Sequence, residues 1–75
     1  MDNVSYISEE FHKGHKVYII DDWEELAMCY YPQYPESVFV KKHHKEPREC
    51  PASNRIIFEA TLNGNIVNEQ EFFVY

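Results

Sequence analysis

Six side chains in this sequence offer metal or nucleophile chemistry: His12, His15, His43, His44, Cys29 and Cys50. Structural zinc needs four donors, usually arranged as two closely spaced pairs. His12 and His15, in "HKGH", form one reasonable pair. A second pair is missing. His43 and His44 are adjacent, so on an extended chain they point to opposite sides. Cys50 follows only six residues after His44. Solvated turn histidines are therefore expected, with no metal and no cofactor. As a nucleophile, Cys50 has Arg48 nearby to favour a thiolate, but Glu49 precedes it and Pro51 follows. No Gly-rich phosphate loop, G-x-S-x-G or H-E-x-x-H pattern surrounds any candidate. A chain of 75 residues also leaves little room for a concave pocket once its core is made. The expectation is a protein that is not an enzyme, with no catalytic residues.

Charge offers two further candidates. Lys41, Lys42, Lys45 and Arg48 cluster around "KKHHK", next to strand-type aromatics, as on a basic stacking surface. Against nucleic-acid binding stand the interrupting Glu46 and Glu49, a net charge of −6 and a pI near 5.0. Nucleic-acid-binding domains are usually strongly basic, because binding works by neutralising phosphates. Lysines at a sheet edge also have a plainer use, since they discourage edge-to-edge pairing.

The acidic side fits a protein partner better. Residues 1–36 hold eight acids against Lys13 and Lys16. Glu9, Glu10, Asp21, Asp22 and Glu24 are the candidates for docking on a basic surface, one that normally binds nucleic acid in the DNA-mimicking version of this reading. Met28, on an outward helix face, and Tyr31 and Tyr34, each followed by a proline (Pro32 and Pro35), add adaptable and aromatic contacts. Small size, acidity and the lack of a catalytic motif are typical of phage or mobile-element proteins that block a host complex stoichiometrically. Such an inhibitor is the function expected, with a basic nucleic-acid module using Lys41, Lys42, Lys45 and Arg48 as the competing reading.

Composition and pattern set the frame for these residues. The chain is 44% apolar and 16% aromatic, too rich for disorder. One domain, spanning 1–75, is expected. The polar, acidic "MDNVSYISEE" carries no secretory signal, and no apolar run approaches membrane-span length. Two cysteines are too few for a disulfide scaffold. A cytoplasmic protein with two reduced thiols is expected.

"SYISEEF" (5–11) and "KVYIID" (16–21) read as strands around a turn at Gly14. In the second, Val17 and Ile19 alternate with Tyr18 and Ile20, so both faces should be partly covered. "DDWEELAMCYYP" reads as a helix, with Asp22 as N-cap and Glu25 closing a capping box. Trp23, Leu26, Ala27 and Tyr30 form its apolar stripe, which should plug the core. "SVFVKK" (37–42) is a short strand, and a polar loop follows it. "RIIFEATLNGNIVNEQEFFVY" reads as a hairpin around Asn63-Gly64, the dipeptide a type I′ turn prefers, with its register open. Its last strand, ending Phe72-Phe73-Val74-Tyr75, could pair with a second copy to form a homodimer. The sum is an α+β domain, β-β-α-β-β-β, with one short helix on one face of a mostly antiparallel sheet.

Overall fold

A computed structural model describes residues 2–75. Its centre is a five-stranded antiparallel sheet, ordered β4-β3-β2-β1-β5. The strands are β1 (Val17–Asp21), β2 (Leu26–Tyr30), β3 (Ser37–Lys41), β4 (Arg48–Pro51) and β5 (Asn65–Val67). Three helices complete it: α1 (Asn3–His12), α2 (Arg55–Asn63) and α3 (Glu69–Val74). The chain is thus the small α+β domain expected, but its order is α-β-β-β-β-α-β-α. Among the described residues no helix is long and apolar enough to cross a membrane.

Residues 5–11 belong to α1, not to a strand. The Asp2 side chain accepts from Ser5 N–H at 2.8 Å and caps the first turn. Ile7 and Phe11, four residues apart, pack with Tyr6 against the core. The helix closes in a Schellman motif. Gly14, at φ 77, sits in the left-handed position, Gly14 N–H donates to Phe11 O, and His15 N–H to Glu10 O.

The expected helix over 22–31 is instead the end of a hairpin. β1 pairs with β2 from Val17↔Tyr30 to Asp21↔Leu26, and Asp22 to Glu25 form the connection. Glu25, assigned above to a capping box, lies at φ 56, outside any right-handed helix. All five residues of β2 are buried. A continuous apolar run of this length cannot be told from a buried helix by period alone. Two side-chain sets cover it. Leu26, Met28 and Tyr30 join Val17, Ile19, Val38, Val40 and Ile57 on the α1/α2 side. Ala27 and Cys29 join Tyr18 and Phe72 on the α3 side.

The hairpin expected around Asn63-Gly64 is also overturned. Ile57, Ala60 and Thr61 are the buried face of α2, a helical spacing hidden inside an apparent alternation. The Asn54 side chain caps α2 by accepting from Ile56 N–H and Ile57 N–H at 3.0 and 3.2 Å. Gly64 has φ −78, so no type I′ turn forms. Asn68 and Glu71 make a capping box that starts α3. The terminal "FFVY" therefore offers no strand edge for a dimer. A buried polar pin joins α2 to β2: the Tyr30 hydroxyl donates to Thr61 Oγ1, and Thr61 donates to Ile57 O at 2.7 Å.

Candidate protein-interaction surface

The connection between β1 and β2 carries four exposed residues in a row, Asp22, Trp23, Glu24 and Glu25. Trp23 is 89% exposed, so its assignment to the core is wrong. An amphipathic helix would have turned it inward, but the hairpin projects it outward. The turn is held from inside. Asp21 is buried, and its carboxylate accepts from Trp23 N–H at 3.1 Å. Asp21 is therefore a local scaffold rather than part of the exposed acidic set. Behind the turn on the α3 side lies Tyr75, whose phenol is pushed up by burial and then by the charges of Asp22, Glu25 and Asp21. Tyr75 is pinned by the β3–β4 loop, since its carbonyl accepts from His44 N–H at 2.9 Å. The His43 ring stacks on the Tyr75 ring at 3.8 Å.

The remaining sequence candidates fall into separate places. Glu9 is exposed on α1. Glu10, next to it, is held by Lys13 at 3.3 Å and His15 at 3.0 Å, and the His15 hydrogen bond leads the causes that lower its pKa. It is neutralised locally. Met28 is fully buried in the α1/α2 core, so it offers no contact. This corrects the outward helix face assigned to it, because strand alternation puts it beside Ile19. Tyr31 packs edge-on against Phe39 at 5.2 Å, and Tyr34, 59% exposed, joins them at 6.4 Å. That cluster caps the rim of the α3-side core, to which Tyr31 and Phe39 belong.

The four basic candidates divide as well. Lys41 is 6% exposed, with its ammonium 5.9 Å from the centre of the Tyr75 ring. Lys42, Lys45 and Arg48 line a cleft of about 640 Å³ on the α1/α2 side of the sheet. Its walls include Leu26, Val40, Cys50, Ile56 and Ile57, and Glu24 and Glu46 also border it. The size lies within the range of ligand pockets, larger than the chain length led one to expect. None of the three cations has a carboxylate within 4.0 Å among the described residues.

The histidines do not converge. His12 and His15 flank the C-terminus of α1, while His43 and His44 follow β3. Among the described residues no group of three or more His, Cys, Asp or Glu is placed to hold a metal. Cys29 and Cys50 are free thiols, packed on opposite faces of the sheet. Sequence reasoning missed Trp23 and the cleft walls. The signal for Trp23 was present: two acids on each side of one aromatic are unusual for a core helix and ordinary for a solvated turn. Comparison with known proteins finds no matching family model, no matching curated protein and no matching solved structure.

Proposed function

We propose that the protein is a non-enzymatic interaction module that docks the Trp23 turn into a pocket with a basic rim on a larger partner protein. One observation carries this reading. A Trp ring that packs on almost nothing of its own chain projects from a turn whose backbone is tied to the Asp21 carboxylate. Burying a Trp removes roughly 150–250 Å² from water, a gross gain of about 4–6 kcal/mol at 25 cal/mol per Å². Association and ordering costs take much of such a gain, and a pre-set turn reduces the second of them. Asp22, Glu24 and Glu25 add a collar of negative charge that steers association toward a basic surface.

If that surface normally holds nucleic acid, docking blocks it, and the protein acts as a stoichiometric inhibitor. The DNA-mimicking version has less support, because Asp21 is buried and Glu10 is paired. Direct nucleic-acid binding has less support too. Lys41 is covered by Tyr75, and the cleft floor is aliphatic, without the stacking aromatics such sites use. The proposed setting is the cytoplasm, where both thiols stay reduced.

The test is capture from the source cell by immobilised wild type, Trp23→Ala and Glu24→Lys. Trp23→Ala should melt as wild type does, because exposed substitutions usually change stability by less than about 0.5 kcal/mol. It should nevertheless lose the partner through faster dissociation. Glu24→Lys should slow association, and wild-type capture should weaken as salt rises. Equal capture by Trp23→Ala and wild type would refute the reading. Loss on Tyr31→Ala and Tyr34→Ala alone would move the site to the Tyr-Pro turn.

A further inference from the structure

Two surfaces of this molecule are unpartnered and opposite in character. The Trp23 turn presents one large apolar ring among three carboxylates. The cleft presents apolar walls, Leu26, Val40 and Ile57, with Lys42, Lys45 and Arg48 at its edge. The edge carries three cations against two carboxylates, so it keeps a positive excess. We infer that the cleft receives the Trp23 ring of a second copy of this chain. The inference rests on the reading of the Trp23 turn as the docking element.

Trp23 does not fill the cleft of its own chain. Its backbone is tied to Asp21, its ring is almost wholly in water, and only its neighbour Glu24 borders the cleft. Glu24 also shows that donor turn and acceptor cleft adjoin. With the two side by side, a single two-fold axis brings turn to cleft twice. The result is a closed, isologous dimer rather than a filament. Each copy then buries one ring and sets Asp22 and Glu25 against cations that have no partner within 4.0 Å in the isolated chain. The dimer hides Trp23, so a partner that takes this turn competes with self-association, and free turns appear on dilution.

Cys50 gives a direct readout, because its thiol lines the cleft while Cys29 is buried elsewhere. The experiment is a concentration series of the whole chain by sedimentation equilibrium, with the alkylation rate of Cys50 by iodoacetamide followed in the same samples. Wild type, Trp23→Ala and the double variant Lys42→Glu/Lys45→Glu are compared, each checked for fold by circular dichroism. The expected result for wild type is a mass that doubles with concentration while Cys50 alkylation slows in proportion to the dimer fraction. Both variants should stay at one chain mass, with Cys50 reacting at a concentration-independent rate. A wild type that remains one chain at millimolar concentration overturns the inference. So does a dimer that forms equally well with Trp23→Ala, or one that leaves Cys50 fully reactive. A monomeric wild type whose partner capture is still lost on Trp23→Ala sinks the self-docking alone and leaves the docking reading standing. A monomer whose capture ignores Trp23 sinks both.

Discussion

Replacing Gly64 with Ala adds one methyl group, and the structure says where it goes. A Cβ built on Gly64 would run into Ile19 Cγ2 and lie 2.9 Å from both Ala60 O and Ile20 O. Ile19 is fully buried and cannot swing away. The two carbonyls belong to α2 and β1, so they move only if the helix shifts or β5 leaves its ladder at Ile20↔Asn65. Extra methylenes in a packed core cost typically about 1–3 kcal/mol, and two backbone neighbours out of three put this case near the top. For a domain of 75 residues, total stability is on the order of 4–11 kcal/mol. A loss near 3 kcal/mol should lower the melting temperature by roughly 12–24 °C. Far-UV circular dichroism is the right probe, because Trp23 is in water whether the chain is folded or not and its emission should barely report unfolding. Adding Ile19→Leu, which deletes the Cγ2 branch at equal size, should recover part of the loss and leave the carbonyl share. A Gly64→Ala protein that melts within a few degrees of wild type would refute the reasoning. It would mean that α2 and β5 are joined more loosely than the structure has them.

Phe72, 1% exposed and 5.4 Å from the Tyr18 ring, is the one fully buried residue that α3 contributes. Phe72→Ala should cost about 3–5 kcal/mol and release α3, read as lost amide protection over 69–74 in hydrogen exchange. Burial pushes the Tyr18 and Tyr30 phenols up to about 12, against an ordinary value of 10.0. The folded state thus holds these protons more tightly, so their stabilisation is intact below pH 10 and fades between about 10 and 12. Tyr18→Phe should move the alkaline midpoint upward, and tyrosinate absorbance of wild type should show a late phase, with Tyr18 and Tyr30 in it, that titrates with unfolding. Glu10 has the opposite sign. His15 and Lys13 lower its pKa from 4.5, so its contribution is present above that value and lost as pH falls through the lowered one. Glu10→Gln should flatten part of the acid limb of stability against pH, and an unchanged limb would show that the triad does not form.

The parts legible in the sequence were those whose environment is local. β1 and β3 were read within a residue of their limits, because Val17–Ile20 and Val38–Val40 are rich in β-branched side chains and lie next to turn signals. The tertiary arrangement hid the rest. Helices cover the sheet on both sides, which erases the polar alternation that marks an ordinary antiparallel strand. β2, with Leu26 to Tyr30 all buried, then looks as helical as it looks extended. Conversely, α2 keeps Ile56, Phe58 and Leu62 exposed, and these mimic one face of a strand. Gly64 shows the same confusion at a single residue. Its place after Asn63 suggested a need for positive φ, whereas the backbone there is ordinary and only the missing Cβ matters. The acidic stretch proves to be an exposed turn from Asp22 to Glu25, whereas Trp23 was placed inside because its shape as a helix was assumed first. The cleft was not legible at all, since Lys42 and Arg48 meet Ile57 and Asn54 only once α2 has docked.

The strand order β4-β3-β2-β1-β5 has a temporal consequence. Four of the five strands are sequence neighbours, joined in a meander between Val17 and Pro51. Only β5 crosses the chain, to pair Val67 with Tyr18, and the Asn3 side chain reaches Thr61 O and Gly64 O at 2.9 and 2.8 Å. During synthesis the meander can therefore assemble while the last third of the chain is still inside the ribosome. Its closing element is the unit α2-β5-α3, which must arrive on both faces at once, because α2 and α3 flank β5 and lie on opposite sides of the sheet. Short-range closures are quick and the long-range one is slow. The late step is thus the one that covers Ile19 and Tyr18 together, and until it completes β1 is an open edge.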